Sequence, residues 1–541
     1  MDFLRQYWLL LILALPFFVA LDESSLWDAN EAFYAQTPRE MVDRGDWLVP
    51  YFNGKPRLNK PPLSYWVVAV FYNLFSISVF WERFPMALLA YGSVLSVFAI
   101  GKTLYHQKVA LWAAGIFATT FRFLFLARRL MIDVLLLFCL LLAIACFLSW
   151  IKSEKKSHFL LASFFFGLAF LAKGPVGLLA LIFLGLYLFI TDRGGQLSRA
   201  PWLTGSLICL LTCSSWFLLL GAETGWQPVR DFFLKENLGR FTSVAFGPER
   251  GPFYYAAVFP GDFFPWSFFF PAAVIWSFLL WRRAATGVDA DRVLLLSLWI
   301  GAYFLFFSLS YNKQEYYILP LYPAAALWVA LYFERARVPA LLSGLVAVLI
   351  LIFSALLFFI ARALFGNGGL WIPFLFVPPI VLGLFLRRYS LTIVSLALFY
   401  FATFALYLRP FEEYKPVYHF AQTILDRTGQ VKNRQAFQAG YYKFAAPSLA
   451  FYLNQPILEL SDVKAAATLL ESEMPVYLIV RADHYPELVS ATASPLQIVE
   501  VRPKLYTTVG ALIEGFKGGR TEHPREAWTR RVYLITNGNS D

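Results

Sequence analysis

The chain has 541 residues, 59% of them apolar, 19% aromatic and 15% charged, and 46 basic against 35 acidic side chains leave a formal charge of +11. Soluble chains carry about 25% charged residues, so a chain this long would have too little polar surface to cover several water-exposed globules. The composition excludes a soluble protein and predicts an integral membrane protein.

In chain order, residues 7–21 form a first apolar run. Residues 1–21 also fit a cleaved signal peptide, with Phe18-Val19-Ala20 as the cleavage site and Arg5 as the only preceding basic residue. Residues 22–84 read as one long loop whose apolar stretch Leu63–Phe75 lies in the membrane interface instead of crossing it. The later runs Val134–Trp150, Phe159–Ala172, Val176–Ile190, Ala340–Ile360 and Trp371–Leu386 are apolar on every side. About 20 such residues cross a hydrocarbon core of roughly 30 Å, and only a helix satisfies its own backbone there. Residues 1–409 are therefore expected to be an α-helical polytopic membrane domain of about thirteen transmembrane helices. Residues 410–541 alternate strand-like Val476–Val480 with helix-like Val463–Leu470, and Ala436–Tyr452, Val476–Arg481 and Leu496–Val501 suggest a small sheet. A soluble α/β domain is predicted there.

That tail carries fourteen basic and fourteen acidic residues, so the whole positive excess belongs to the membrane part, where it orients helices, and no nucleic-acid partner is expected. The basic groups Lys102/Lys108, Lys152/Lys155/Lys156, Arg193/Arg199, Arg282/Arg283/Arg292, Arg335/Arg337 and Arg387/Arg388 mark cytoplasmic loops. Segments with few or balanced charges, 126–133, 222–262, 310–315 and 365–369, alternate with them and mark the opposite side. The alternation closes with the N-terminus inside and the C-terminal domain outside. All four cysteines, Cys139, Cys146, Cys209 and Cys213, fall in predicted spans, so no disulfide framework is implied.

Function is sought where polar residues stand against expectation. The loop 22–84 holds many charges among aromatic and turn residues, and a connection this long is normally a binding or catalytic element or a lid over the bundle. Asp28, Glu31 and Ala35 would share a helical face, presenting two carboxylates for acid–base or metal-assisted chemistry. Asp133 stands at a membrane edge, where an acid is functional by default; its alternative is an ion pair with Arg129 four residues away. Lys173, Arg240 and Lys313 are each consistent with a snorkelling anchor. Together with Lys60 they collect positive charge on one face, suited to an anionic lipid headgroup.

The stretches Trp27-Asp28-Ala29-Asn30-Glu31-Ala32-Phe33-Tyr34, Gly45-Asp46-Trp47, Phe52-Asn53-Gly54-Lys55-Pro56 and Lys60-Pro61-Pro62-Leu63-Ser64-Tyr65-Trp66 carry a resemblance. They are similar to the first external loop of bacterial lipid A 4-amino-4-deoxy-L-arabinose transferases, relatives of the protein O-mannosyltransferases. Arg83-Phe84-Pro85, Ala127-Arg128 with Asp133, Lys173-Gly174-Pro175 and Tyr317-Ile318-Leu319-Pro320 follow in the same order, so the resemblance covers roughly 25–325.

The resemblance implies a GT-C fold in the bacterial inner membrane and a polyprenyl-phosphate sugar donor. It further implies transfer to a lipid A, glycan or protein acceptor, with the C-terminal domain in the periplasm. Lys60 resembles the lysine that binds the donor phosphate, Arg240 and Tyr317 resemble its helpers, and Asp133 resembles the second essential acid. The first acid departs: an Asp-Glu pair falls on Asn30-Glu31, and Asp28 stands two residues earlier as a replacement. Two positions resembling zinc ligands are Asn59 and Asn237, so no zinc is expected.

The implied chemistry is a single inverting displacement, with Lys60, Arg240 and Lys173 stabilising the phosphate leaving group and Asp28 or Asp133 orienting the acceptor. Glu31 would hold the loop or the acceptor, with Asn30, Tyr34 and Lys313 as further candidates. The competing expectation is a carrier or flippase for lipid-linked sugars.

Overall fold

The computed structural model describes residues 2–28, 30–191, 194–243, 249–284, 288–366, 371–429, 437–505 and 528–538. Among them, eight helices are long and apolar enough to cross a membrane: Val79–Leu104, Ile132–Ser153, Lys156–Lys173, Trp202–Thr224, Asp289–Leu309, Glu315–Arg335, Ala340–Phe365 and Tyr389–Tyr414. The pair Gln107–Ala118 and Phe121–Ala127, bent by 68° at a short break, is together apolar enough to make a ninth. Shorter apolar helices cover Tyr7–Phe18, Leu63–Leu74, Pro175–Ile190, Trp266–Leu279 and Ile372–Phe385. The runs expected from sequence thus fold as helices, and Pro175–Ile190 and Ile372–Phe385 each open with a tight 3-10 turn, Pro175–Leu178 and Ile372–Phe376, where proline removes a backbone donor. Helix Glu315–Arg335 is the centre of the bundle, with nearly every residue from Ile318 to Phe333 buried. The four cysteines are free thiols on these helices.

Leu63–Leu74 has 12 residues, only about 18 Å of helix, too short to span. It buries Ser64, Tyr65, Val68, Ala69 and Tyr72 and exposes Val70 and Leu74, the one-sided pattern of a helix lying on the bundle. Upstream, the first loop contains helix Asn30–Arg44 and a two-residue hairpin, β1 (Tyr51–Phe52) against β2 (Lys55–Pro56). Helix Val79–Leu104 opens with Ser78 accepting from the Trp81 amide at 3.3 Å, a side-chain N-cap.

Helix Tyr389–Phe411 runs just past the boundary expected at 409/410 and leads into a five-stranded sheet. Its strands are β3 (Gln438–Tyr442), β4 (Leu458–Leu460), β5 (Val476–Arg481), β6 (Gln497–Leu505) and β7 (Thr529–Thr536), in the order β4-β3-β5-β7-β6. β3 is parallel to β4 and β5, while β7 runs antiparallel to β5 and β6. Along β5, Tyr477 and Ile479 pack towards helices Pro416–Arg427 and Ser448–Leu453, whereas Val476, Leu478 and Val480 pack towards Val463–Leu470 and Tyr485–Ala491. Helices on both faces explain why β5 is an unbroken apolar run. The sequence reading missed β7, whose Arg530 and Arg531 are exposed and mask its buried half.

Candidate active site

Four separate segments converge on one cavity of about 340 Å³. Lys60 comes from the Lys60-Pro61-Pro62 run, just before the interface helix. Lys173 is the last residue of its helix, and Gly174 then turns the chain at φ +82°, where a Cβ would meet the Phe232 ring at 2.9 Å. Arg240 follows a π-helical stretch, Phe232–Gly239, a wide turn often found at functional sites. Tyr317 lies in the tight turn at the head of the central helix, its ring centre 4.2 Å from Lys173 Nζ. The Asn312 and Tyr311 amides donate to the Arg240 and Phe241 carbonyls at 3.2 and 3.0 Å, joining the two loops. Pro175, Val176, Phe233, Phe241, Phe306 and Phe307 form the apolar walls.

The electrostatics are those of an anion site. Burial, followed by the like charges of Arg240 and Lys173, pulls the Lys60 ammonium down to about 7. Arg240 donates to Glu236 Oε2 through Nε at 2.9 Å and Nη2 at 2.6 Å, which fixes its direction. Asp133, in the first turn of Ile132–Ser153, forms an ion pair with Lys173 through Oδ1. Its Oδ2 is buried without a hydrogen-bond partner among the described residues. The alternative pairing with Arg129 is not made: that guanidinium lies 3.7 Å from the Trp27 ring centre and 3.6 Å from that of Phe125.

The remaining expected residues lie elsewhere. Asp28 precedes the loop helix instead of sharing a face with Glu31, because the helix starts at Asn30. Its Oδ1 accepts from Ser448 Oγ at 2.5 Å and Ser448 N at 3.2 Å, at the start of a helix of the C-terminal domain. Glu31 is fully engaged: Oε1 accepts from Arg83 Nε at 2.8 Å and Leu130 N at 3.2 Å, and Oε2 from Arg83 Nη2 at 2.7 Å and Trp27 N at 2.8 Å. Neither carboxylate faces the cavity as a catalytic acid would. Asn30 is exposed at the helix start, and Tyr34 is buried with its ring 5.7 Å from Tyr65. Lys313 is buried and donates to the Ser310 carbonyl, so it closes a loop and does not line the cavity.

Sequence reasoning met Arg83 only as a piece of the resemblance and gave neither it nor Glu236 a role. Arg83 donates to the Leu21, Ser24 and Ser25 carbonyls as well as to Glu31, tying three segments together. A charge within the apolar run 79–104 was the available signal for it, and the Glu236–Arg240 spacing of four was the signal for the other. No group of three His, Cys, Asp or Glu among the described residues is placed to hold a metal. Asn59 and Asn237 present neutral carboxamides, poor zinc ligands, and Asn237 donates to the Phe232 carbonyl at 2.7 Å. The histidines of the C-terminal domain, His419, His484 and His523, are scattered in sequence without ligand spacing, and His523 is outside the described residues.

The family model for dolichyl-phosphate-mannose-protein mannosyltransferases matches residues 59–218, which include Lys60, Asp133 and Lys173. A protein of Aquifex aeolicus without assigned function is 28% identical over 86% of this chain and 91% of its own length. An undecaprenyl phosphate-alpha-4-amino-4-deoxy-L-arabinose arabinosyl transferase of Pseudomonas paraeruginosa is 27% identical over 62% of this chain, which spans 61% of that enzyme. The crystal structure of ArnT from Cupriavidus metallidurans bound to undecaprenyl phosphate superposes with a TM-score of 0.75 at 21% identity, covering 99% of both chains. The protein is a membrane glycosyltransferase of the GT-C fold. This transferase is a multi-pass membrane protein, and transfer, not carriage, is the activity its relatives support.

Proposed function

We propose that the transferase moves a sugar from a polyprenyl-phosphate donor to a lipid A, glycan or protein acceptor on the periplasmic face of a bacterial inner membrane. The observation that carries this reading is the convergence of Lys60, Lys173, Arg240 and Tyr317 on one cavity whose apolar walls include Phe233, Phe241, Phe306 and Phe307. A dianionic or diester phosphate suits the cations, and a polyprenyl tail suits the walls. The undecaprenyl phosphate in the ArnT crystal structure supports the same donor class.

Bond breaking develops negative charge on the phosphate leaving group, and Lys60 and Arg240 are held ready for it without reorganisation. Asp133 is fixed through Oδ1 by Lys173, so Oδ2 is the atom that orients or deprotonates the acceptor hydroxyl. An acceptor that is already anionic needs only positioning. Taking Asp2–Phe18, Pro175–Ile190, Trp266–Leu279 and Ile372–Phe385 as shorter crossings beside the eight long helices and the broken one is consistent with the thirteen spans expected from sequence. With the basic helix ends at Lys102, Lys152, Arg335 and Arg388 inside, the site and the C-terminal domain share the outer side.

Purified protein supplied with polyprenyl-phosphate sugars and lipid A or peptide acceptors tests the proposal. Transfer should occur in the parent and fall about 100-fold or more in Lys60→Ala. Undiminished transfer in that variant overturns the donor site, and labelled donor crossing vesicles with no sugar moved restores the carrier.

A further inference from the structure

The first external loop is held from two sides. Beneath it, Arg83 anchors Glu31. Above it, four of the contacts between the C-terminal domain and the loop are made by helix Ser448–Leu453 and the segment just after it. Ser448 donates to Asp28, the Phe451 carbonyl accepts from Arg39 Nη1 at 2.5 Å, and the Tyr452 hydroxyl accepts from the Leu26 amide at 2.6 Å. The fourth is reciprocal: Asn53 Nδ2 donates to the Ile457 carbonyl at 2.8 Å while its Oδ1 accepts from the Ile457 amide at 2.6 Å. The side-chain amide thus docks on the backbone just ahead of edge strand β4, as a neighbouring strand would.

Asn53 is also conformationally unusual. Its φ of +56° lies in the left-handed region, which costs a residue with a Cβ and is tolerated best by asparagine and glycine. The turn is fixed from its own loop by Glu40, which accepts from the Asn53 amide at 2.7 Å and the Gly54 amide at 3.1 Å. The returning strand β2 then passes Arg57, whose amide donates to the Pro50 carbonyl at 2.7 Å and whose guanidinium lies 4.3 Å from the Phe33 ring centre. Three residues later the chain reaches Lys60. Movement of the hairpin is therefore passed along a short, cross-braced segment to the lysine over the phosphate cavity.

We propose that the C-terminal domain is a positioning element of the donor site: by gripping Asn53 through Ile457 and Asp28 through Ser448, it holds the first external loop so that Lys60 stands over the phosphate cavity. Asn53 and Asp28 are positioning residues in this account, and the inference rests on the donor-phosphate role of Lys60. Loosening the grip lets the hairpin lift and water reach an ammonium now buried within the fields of Arg240, Lys173, Glu236 and Asp133.

The test uses the full chain and two readouts, binding of undecaprenyl phosphate and the pH profile of Lys60 acylation by an amine reagent read by mass spectrometry. Asn53→Gly is the decisive variant because glycine keeps the left-handed turn while removing both bonds to Ile457. Its binding should weaken about tenfold, with thermal unfolding close to the parent's. The acylation midpoint should move from near 7 towards the ordinary lysine value of about 10.4. Asn53→Asp, which keeps the acceptor oxygen, should recover part of both. Unchanged binding in Asn53→Gly while Lys60→Ala loses it overturns this inference alone, as does weakened binding with an unmoved acylation midpoint. Unchanged binding in Lys60→Ala overturns the donor site and the inference together.

Discussion

Glu31 and Asp133 are both buried acids paired with a cation, at the mouths of neighbouring helices, yet they are built for opposite purposes. Glu31 has both oxygens occupied by Arg83 and two backbone amides. Asp133 gives one oxygen to Lys173, which lines the cavity, and leaves the other buried without a hydrogen-bond partner among the described residues. A carboxylate with every lone pair engaged is a strut, because any reaction would first have to break the fold. A carboxylate with one oxygen fixed and one unengaged is oriented and still available. The difference also separates Arg83, enclosed by carbonyls, from Lys173, which faces Tyr317.

The largest effect should come from Asp133→Asn. Steady-state kinetics should show kcat reduced about 10²- to 10³-fold while donor binding is retained or tightened, since Lys173 loses its competing anion. Equal loss of donor binding would make Asp133 a strut like Glu31. Glu31→Gln should act through stability instead, with unfolding lowered by about 3 kcal/mol or more because the buried Arg83 loses its closest counter-charge and keeps only Glu82, whose Oε1 lies 3.6 Å from its Nε. Normal stability with lost turnover would break the comparison from the other side.

Acid should expose the same contrast. Burial pushes the Glu31 carboxyl up, but Arg83 and its hydrogen bonds outweigh this and hold the group well below the usual carboxylate range. Its contribution to stability is present above the ordinary carboxylate value of about 4.3 and lost as pH falls through the lower folded value. Melting temperatures measured from pH 7 down to 3 should fall in the parent and stay flatter in Glu31→Gln.

Lys60 predicts a trend of opposite sense. Its lowered value of about 7 means that the charged form needed for phosphate is lost as pH rises through neutrality. With a phosphodiester donor, which does not itself titrate there, the Michaelis constant should rise between pH 6 and 8.5, and Lys60→Arg should abolish the trend. The smallest effect belongs to Asp28→Ala, about 1 kcal/mol in stability and a modest rise in donor KM with kcat kept, because it removes the oxygen that accepts from Ser448.

The bundle was legible because a span needs only a local property, a run of apolar residues with no gap. The cationic side of the site was legible because Lys60, Lys173 and Arg240 stood out against that background. The acids were harder. Asp28 and Glu31 look alike in a helical projection, and what distinguishes them from Asp133 lies far away in the chain. The Ser448 partner of Asp28 is 420 residues distant and the Arg83 partner of Glu31 is 52. Strand β4 was missed for its brevity, three residues with two exposed. The role of Asn53 was hidden because a turn asparagine ordinarily needs no partner beyond its own loop.

The π-helical stretch Phe232–Gly239 turns Glu236, Asn237 and Leu238 to the cavity, and Leu234 and Leu238 both stand about half exposed. A helix with exposed leucines at a membrane surface makes the doorway to the phosphate lateral, through the bilayer leaflet. The quantity that saturates such an enzyme is then the mole fraction of donor among lipids. Diluting the donor with inert lipid at fixed total concentration should slow transfer, whereas diluting whole vesicles with buffer should leave the rate per enzyme unchanged.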